Sequence, residues 1–98
     1  MNTFLNNMEI EYDEKFINSF TEIFDFIALD SLNRSNNFKI ELKDKIESLV
    51  YMPKKFRKSI YFEDDSIRDL IFKGYVVPYK ITKEKIIILG ITKHKKGL

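Results

Sequence analysis

The sequence predicts an α+β fold in which an N-terminal strand precedes an antiparallel helix hairpin that packs on one face of a mainly antiparallel β-sheet. In the first half, apolar residues recur at spacings of three and four, the period of one helical face. Beyond Pro53 they form short β-branched and aromatic runs separated by turns. With 98 residues the chain has room for one domain. We expect that domain over residues 8–98, in the order β-α-α-β-β-β, and a loose extension over residues 1–7.

The first strand is predicted over residues 8–12, and Asp13 after it can cap a helix over about residues 14–29. The apolar stripe of this helix consists of Phe16, Phe20, Ile23, Phe24 and Ile27. After a short polar turn, we expect Ser35 to cap a second helix, which Pro53 ends. Its stripe consists of Phe38, Leu42, Ile46, Leu49 and Val50. So short a turn predicts an antiparallel hairpin with both stripes on the sheet.

The second half predicts a β-meander. A short strand or extended segment is expected at residues 60–62, followed by strands at 67–72, 75–82 and 85–95. Two-residue turns join these three strands, and Gly74 can supply the positive φ that such a turn requires.

Alternation in the last strand assigns its faces. Ile87, Leu89 and Ile91 share one parity and are predicted to lie under the helices. Ile86, Ile88 and His94 would then point away from them. Pro78 lacks an amide hydrogen, so a bulge or a locally unpaired position is expected there.

Composition excludes several kinds of site. The chain has no cysteine and one histidine, His94, which excludes disulfides and disfavours a zinc site, and no cofactor is predicted. The longest uncharged apolar run, residues 75–79, is too short to cross a membrane, and the first residues lack the pattern of a signal peptide. We therefore expect a cytoplasmic protein without a membrane partner.

Charge is distributed unevenly along the chain. Residues 1–52 hold five Lys and Arg against ten Asp and Glu, a net charge of −5, whereas residues 53–98 hold twelve against five, a net charge of +7. Such a split indicates a polyanionic partner, either nucleic acid or an acidic peptide, or a dipolar surface kept for solubility.

The order of strand, helix hairpin, basic loop and three-stranded meander, ending in His94, Lys95 and Lys96, resembles the RelE/ParE toxins of bacterial type II toxin–antitoxin systems. The stretches that carry the resemblance are residues 38–53, 67–70, 74–81 and 86–91. It covers residues 8–96. It implies a growth-inhibiting toxin, with roles in stress response and plasmid stabilisation. It also implies a cognate antitoxin whose acidic C-terminal segment wraps around the basic toxin domain.

The resemblance implies two possible activities. RelE-like members cut messenger RNA on the ribosome, whereas ParE-like members poison DNA gyrase and are not nucleases. A metal-independent RNase needs a general base, a cation at the phosphate and a general acid. The candidates are Glu63, Arg68 and His94, respectively. Arg68 could equally be a structural ion-pair donor to Asp65 or Asp69.

One departure favours the ParE-like branch. The ribosome-dependent RNases commonly carry an arginine three positions before a strand tyrosine, and Val76 stands at that place before Tyr79. An apolar side chain cannot contact a phosphate. Gyrase inhibition is thus the preferred function, the endoribonuclease is the alternative, and a non-toxic homologue that only binds a partner is the third possibility.

The candidate binding surface combines cations with aromatic residues, which suits phosphate contact, base stacking or an acidic antitoxin segment. Its members are Lys54, Lys55, Phe56, Arg57, Lys58, Arg68, Tyr75, Lys93, His94, Lys95 and Lys96. The same lysines could simply protect a sheet edge from aggregation.

Overall fold

A computed structural model describes residues 8–94 and confirms the α+β architecture. The elements are β1 (Glu9–Tyr12), α1 (Glu14–Asp30), α2 (Leu32–Glu47), one 3-10 turn (Ser48–Val50), β2 (Ile67–Phe72), β3 (Tyr75–Ile81), β4 (Lys85–Ile88) and β5 (Thr92–Lys93). The predicted loose extension, residues 1–7, lies outside the described residues, as do Lys95 and Lys96.

The helix hairpin has one predicted cap and one corrected cap. Asp13 caps α1 as predicted, its Oδ1 accepting a hydrogen bond from the Lys15 amide at 2.9 Å. The cap of α2 is Ser31, whose Oγ accepts from the Arg34 amide at 3.1 Å, so the prediction of Ser35 was wrong. Both serines suit a cap, but the helices are joined by one residue, which leaves only Ser31 in an extended conformation. Ser35 is instead buried within α2 and donates its hydroxyl to the Phe24 carbonyl at 2.7 Å.

The sheet has the strand order β1-β4-β3-β2, and β5 pairs with β3 beyond the end of β4. β1 pairs with β4 in parallel and the other pairs are antiparallel. Lys73 and Gly74 connect β2 to β3 with φ values of 48° and 84°. Positive φ at both positions is the hairpin geometry that suits the right-handed twist of the strands. The predicted meander is confirmed, with its last strand divided in two.

Both helices pack on one face of the sheet. The centre of the Phe38 ring lies 5.2 Å from the centre of the Phe72 ring and 5.5 Å from the centre of the Tyr75 ring. The core consists of Phe16, Phe38, Leu42, Ile46, Leu49, Leu70, Phe72, Val77, Tyr79, Ile86, Ile88 and Ile91. Across residues 8–94, neither helix is long and apolar enough to span a membrane.

The predicted faces of the last strand were partly wrong. Ile86 and Ile88 are the residues fully buried under the helices, whereas Ile87 and Leu89 are only half-buried. Ile91 is buried as predicted. The alternation does not continue through this region because regular pairing stops after β4 and resumes at β5. The single parity assumed for Ile87, Leu89 and Ile91 therefore assigned the wrong face to β4.

Pro78 lies where this interruption occurs. Its ladder with β2 is continuous, with Pro78 opposite Asp69. On its other side β4 pairs with β3 only from Tyr79 onward, and β5 pairs only up to Val76. The Leu89 amide donates to the Pro78 carbonyl at 2.9 Å. The expected local loss of pairing is therefore present, on the side away from β2, where the missing amide hydrogen leaves a gap.

Candidate functional site

The predicted basic surface includes a loop, residues 54–58, which we call the basic loop. It runs along the outer edge of β2. The Asp69 amide donates to the Arg57 carbonyl at 3.1 Å, and the Ser59 amide donates to the Ile67 carbonyl at 2.8 Å. The backbones of Lys58 and Arg68 form an isolated antiparallel β-bridge. The loop and Ser59 thereby satisfy the Ile67 carbonyl and the Asp69 amide on an otherwise open sheet edge.

Arg68 holds the basic loop from the helix-facing side of the sheet. The register places Arg68 opposite Tyr79, whose ring is in the core. Its Nη1 donates to the carbonyls of Phe56 at 3.0 Å and Lys54 at 3.4 Å. The Tyr79 hydroxyl donates to the Pro53 carbonyl at 2.6 Å, and burial raises the pKa of Tyr79 to about 12. The Arg68 guanidinium is therefore engaged in holding the chain.

Asp69 holds the same segment from the opposite face. Its side chain is fully buried, its Oδ2 lies 3.5 Å from Nη2 of Arg57, and it accepts from the Ile60 amide at 3.3 Å. The suggested ion pair of Arg68 with Asp65 or Asp69 is not formed, because Asp69 pairs with Arg57 and Asp65 with Lys58. Arg68 and Asp69 together form what we call the clamp, two neighbouring residues that grip one loop from both faces.

The clamp determines what the loop presents to solvent. Lys54 and Lys55 are exposed and form no salt bridge within residues 8–94, while Lys55 Nζ lies 5.6 Å from the centre of the Phe56 ring. Phe56 itself is half-buried against the core. Residues 60–62, an expected strand or extended segment, form no strand and expose their side chains. Along the edge of β2, exposed lysines are thus followed by exposed apolar side chains.

The second predicted cluster lies at the other end of β3. Lys93 pairs with Tyr75, and its Nζ lies 5.6 Å from the centre of that ring. The His94 amide donates to the Gly74 carbonyl at 2.7 Å. Because Tyr75 contacts the helices, strand alternation places His94 on the face away from them. This cluster does not join the basic loop to form one continuous site.

The three candidate nuclease residues are not gathered together. Arg68 lies opposite Tyr79, and His94 lies beside Gly74. Tyr79 and Gly74 are five residues apart in the chain, which corresponds to roughly 16 Å at the rise of a strand. Glu63 is exposed in the loop before β2. No set of three potential metal ligands is clustered within the described range 8–94 either. These side chains cannot act together on one phosphate in this conformation.

Sequence patterns missed a groove between the helices and β1. It has a volume of about 240 Å³ and is lined by Tyr12, Phe16, Phe20, Lys39, Leu42, Lys43 and Ile46. The stripe positions had been assigned to the core, but Tyr12 and Phe20 are only half-buried. Lys39 and Lys43, four residues apart on α2, line the same groove. Two lysines at that spacing beside the apolar stripe were the sequence feature that could have indicated the groove. We call this surface the helix groove.

The strand order, the helix hairpin and the basic edge together define a RelE/ParE-type toxin domain. The family model of the ParE toxin of type II toxin–antitoxin system, parDE, matches residues 10–97, and the chain therefore belongs to the ParE toxin family. A solved structure titled "Chromosomal ParDE TA system from P. aeruginosa" is similar, with a TM-score of 0.76 and 17% identity. The match covers 92% of this chain and 99% of that chain, and it shows the shared fold. No curated protein is significantly similar in sequence.

The clamp predicts unequal roles for two neighbouring cations. Arg57→Ala should lower the free energy of unfolding by about 2 kcal/mol, because it leaves the buried Asp69 carboxylate without its counter-ion; half-exposure of Arg57 keeps the loss below that of a fully buried pair. Adding Asp69→Asn should restore most of the loss. Urea denaturation measures both changes.

Lys58→Ala is the matched control. Its ion pair with Asp65 is exposed on both sides, so the variant should change stability by less than about 0.5 kcal/mol. Equal losses from Arg57→Ala and Lys58→Ala would contradict the role of the Arg57–Asp69 pair.

Proposed function

We propose that this ParE-family toxin arrests growth in the bacterial cytoplasm by binding DNA gyrase, without cutting RNA. The proposal rests on family membership and on the separation of the three residues that an RNase would need. Arg68, the cation of that set, already donates to two backbone carbonyls. Val76, at the position where the ribosome-dependent RNases carry an arginine, is 1% exposed within the sheet.

A protein-binding mode of action also agrees with the exposed apolar surface. Ile60, Tyr61 and Phe62 are consecutive and exposed, and eight further large apolar side chains, among them Ile17, Ile40 and Ile71, are exposed elsewhere in the described part of the chain. Extended exposed apolar patches on a small domain are typical of protein interaction sites. A toxin that must bind both an antitoxin and a target needs more than one such surface.

The antitoxin is assigned to the helix groove. The groove is apolar inside and carries Lys39 and Lys43, so it fits a peptide with apolar side chains on one face and carboxylates on the other. β1 lies next to it at the edge of the sheet. Because the Glu9 and Asp13 amides donate toward β4, the backbone groups of Ile10 and Tyr12 face outward and can pair with an added strand.

Induction of the chain in bacteria tests the target. We expect filamentation and a DNA-damage response, and we expect purified toxin to inhibit the supercoiling activity of DNA gyrase. Rapid translation arrest with ribosome-positioned cuts, abolished by His94→Gln, would instead establish the nuclease. Harmless expression at verified high levels would establish the non-toxic homologue.

Charge reversal in the helix groove tests the antitoxin assignment. The double variant Lys39→Glu and Lys43→Glu should need about tenfold more of the cognate antitoxin for rescue of growth, since like charges oppose an acidic segment. Co-expression titration provides the measurement.

The control for this experiment is Lys15→Glu with Lys45→Glu, which makes the same charge change at exposed helix positions outside the groove. Equal rescue of both double variants would contradict the assignment of the antitoxin to the helix groove.

A further inference from the structure

Three consecutive large apolar residues are exposed beside the basic loop. Ile60, Tyr61 and Phe62 are 65%, 52% and 43% exposed, and we call them the apolar loop. Surface loops are usually polar, and these residues contribute no side chain to the buried core. Their retention at the surface is not explained by folding. An exposed apolar run of this kind is typical of a site that contacts another molecule.

The apolar loop begins at a rigidly held position. The Ile60 amide is bonded to the buried Asp69 carboxylate, and the Tyr61 amide donates to the Ser59 Oγ at 3.1 Å. Just before them, the Ser59 amide is paired with β2. A segment that is already ordered loses less conformational entropy on binding, which favours affinity. The clamp thus prepares the apolar loop for docking.

The charges around the apolar loop indicate the chemistry of its partner. Nearby carboxylates are largely neutralised, because Asp64 pairs with Lys80 at 3.5 Å and Asp65 pairs with Lys58 at 3.6 Å. Lys54 and Lys55 have no such partner within residues 8–94, and Glu63 is the one carboxylate of this region outside a salt bridge there. The segment that carries the apolar loop, residues 54–65, holds four Lys and Arg against three Asp and Glu and is therefore positive by one charge, so a complementary partner is acidic.

A second apolar patch at the end of the helix hairpin lacks this signature. Its exposed residues are Phe26, Leu29 and Leu32. The charges beside it are paired with each other, Arg34 with Asp30 at 3.0 Å and Lys73 with Glu41 at 2.7 Å. Charge therefore does not specify a partner for this hairpin patch. It provides a control surface of similar apolar character.

We propose that the apolar loop is the surface by which this toxin binds its protein target, inserting Tyr61 and Phe62 into an apolar cleft with an acidic rim. The inference rests on the proposed function, inhibition through protein contact. A folded protein is favoured over RNA because the aliphatic Ile60 offers no ring face for a base. Aromatic anchors with basic neighbours are typical of the residues that dominate protein interfaces.

The location of the loop separates it from the helix groove. The groove borders β1 and the apolar loop follows the edge of β2, and these strands are the two ends of the order β1-β4-β3-β2. Three strand spacings correspond to about 14 Å. Target and antitoxin thereby contact different edges of the sheet.

The test compares two double variants in a gyrase supercoiling assay and in a growth assay. Tyr61→Gln with Phe62→Gln should raise the half-inhibitory concentration at least about thirtyfold, the loss of one interface hot spot of about 2 kcal/mol, and should abolish growth arrest. Phe26→Gln with Leu29→Gln, on the hairpin patch, should change the half-inhibitory concentration less than about twofold. Circular dichroism and urea midpoints confirm that both variants are folded.

The outcomes separate this inference from the proposed function. If wild-type toxin inhibits gyrase and the loop variant inhibits it equally, the inference is wrong and gyrase remains the target. If the wild type arrests growth without inhibiting gyrase, the proposed target is wrong, and colony formation by the loop variant still decides the inference. Loss of inhibition by the hairpin variant alone would move the docking surface to the hairpin patch. Micromolar binding of a labelled single-stranded RNA that the loop variant loses would overturn protein docking.

Discussion

The structure of the functional edge depends on two consecutive residues of β2. Neighbouring side chains in a strand point to opposite faces, so Arg68 and Asp69 approach the same loop from the helix side and from the opposite side of the sheet. One supplies a donor to backbone carbonyls, and the other supplies an acceptor to an amide and an arginine. The Asp69 carboxylate is desolvated, and its Oδ1 has no hydrogen-bond partner within the described residues. The cost is therefore offset only in part, through the contacts of Oδ2 with Arg57 and the Ile60 amide.

This arrangement shows that much of the positive charge in the second half of the chain has a structural role. Charge alone suggested a surface for nucleic acid, but several of the cations serve the fold. Arg57 and Arg68 hold the basic loop, while Lys58, Lys73, Lys80 and Lys85 pair with carboxylates. The short Lys85–Glu11 contact joins β4 to β1, and it raises the pKa of Lys85. Lys54 and Lys55 stay available at the sheet edge, beside apolar side chains, which suits a protein surface.

Local sequence patterns predicted most of the fold because each acts over a few residues. The aromatic stripe of α1, the cap at Asp13 and the Lys73-Gly74 turn are decided by spacing and backbone preference. The faces of β4 were mispredicted because Ile86, Ile87 and Ile88 are chemically alike, so that only parity taken from beyond an interruption could assign them.

The candidate site was harder to predict because residue type does not determine the partner of a side chain. Arg68 could be a phosphate ligand or a backbone tie, and only the course of residues 54–58 along β2 decides which. The helix groove was missed for a related reason. Periodicity identifies an apolar stripe, but whether Phe20 is covered depends on how two helices and β1 meet in space.

Hydrogen exchange at single amides, followed by NMR, tests most directly whether the clamp fixes the functional edge. The amides of Ser59 and Asp69 join the basic loop segment to β2. Both should exchange as slowly as amides within the β2–β3 ladder, since the edge opens only when the sheet does. If they exchange as quickly as the amide of Glu63 in the exposed loop, the segment is not held and the account of a rigid docking edge is contradicted.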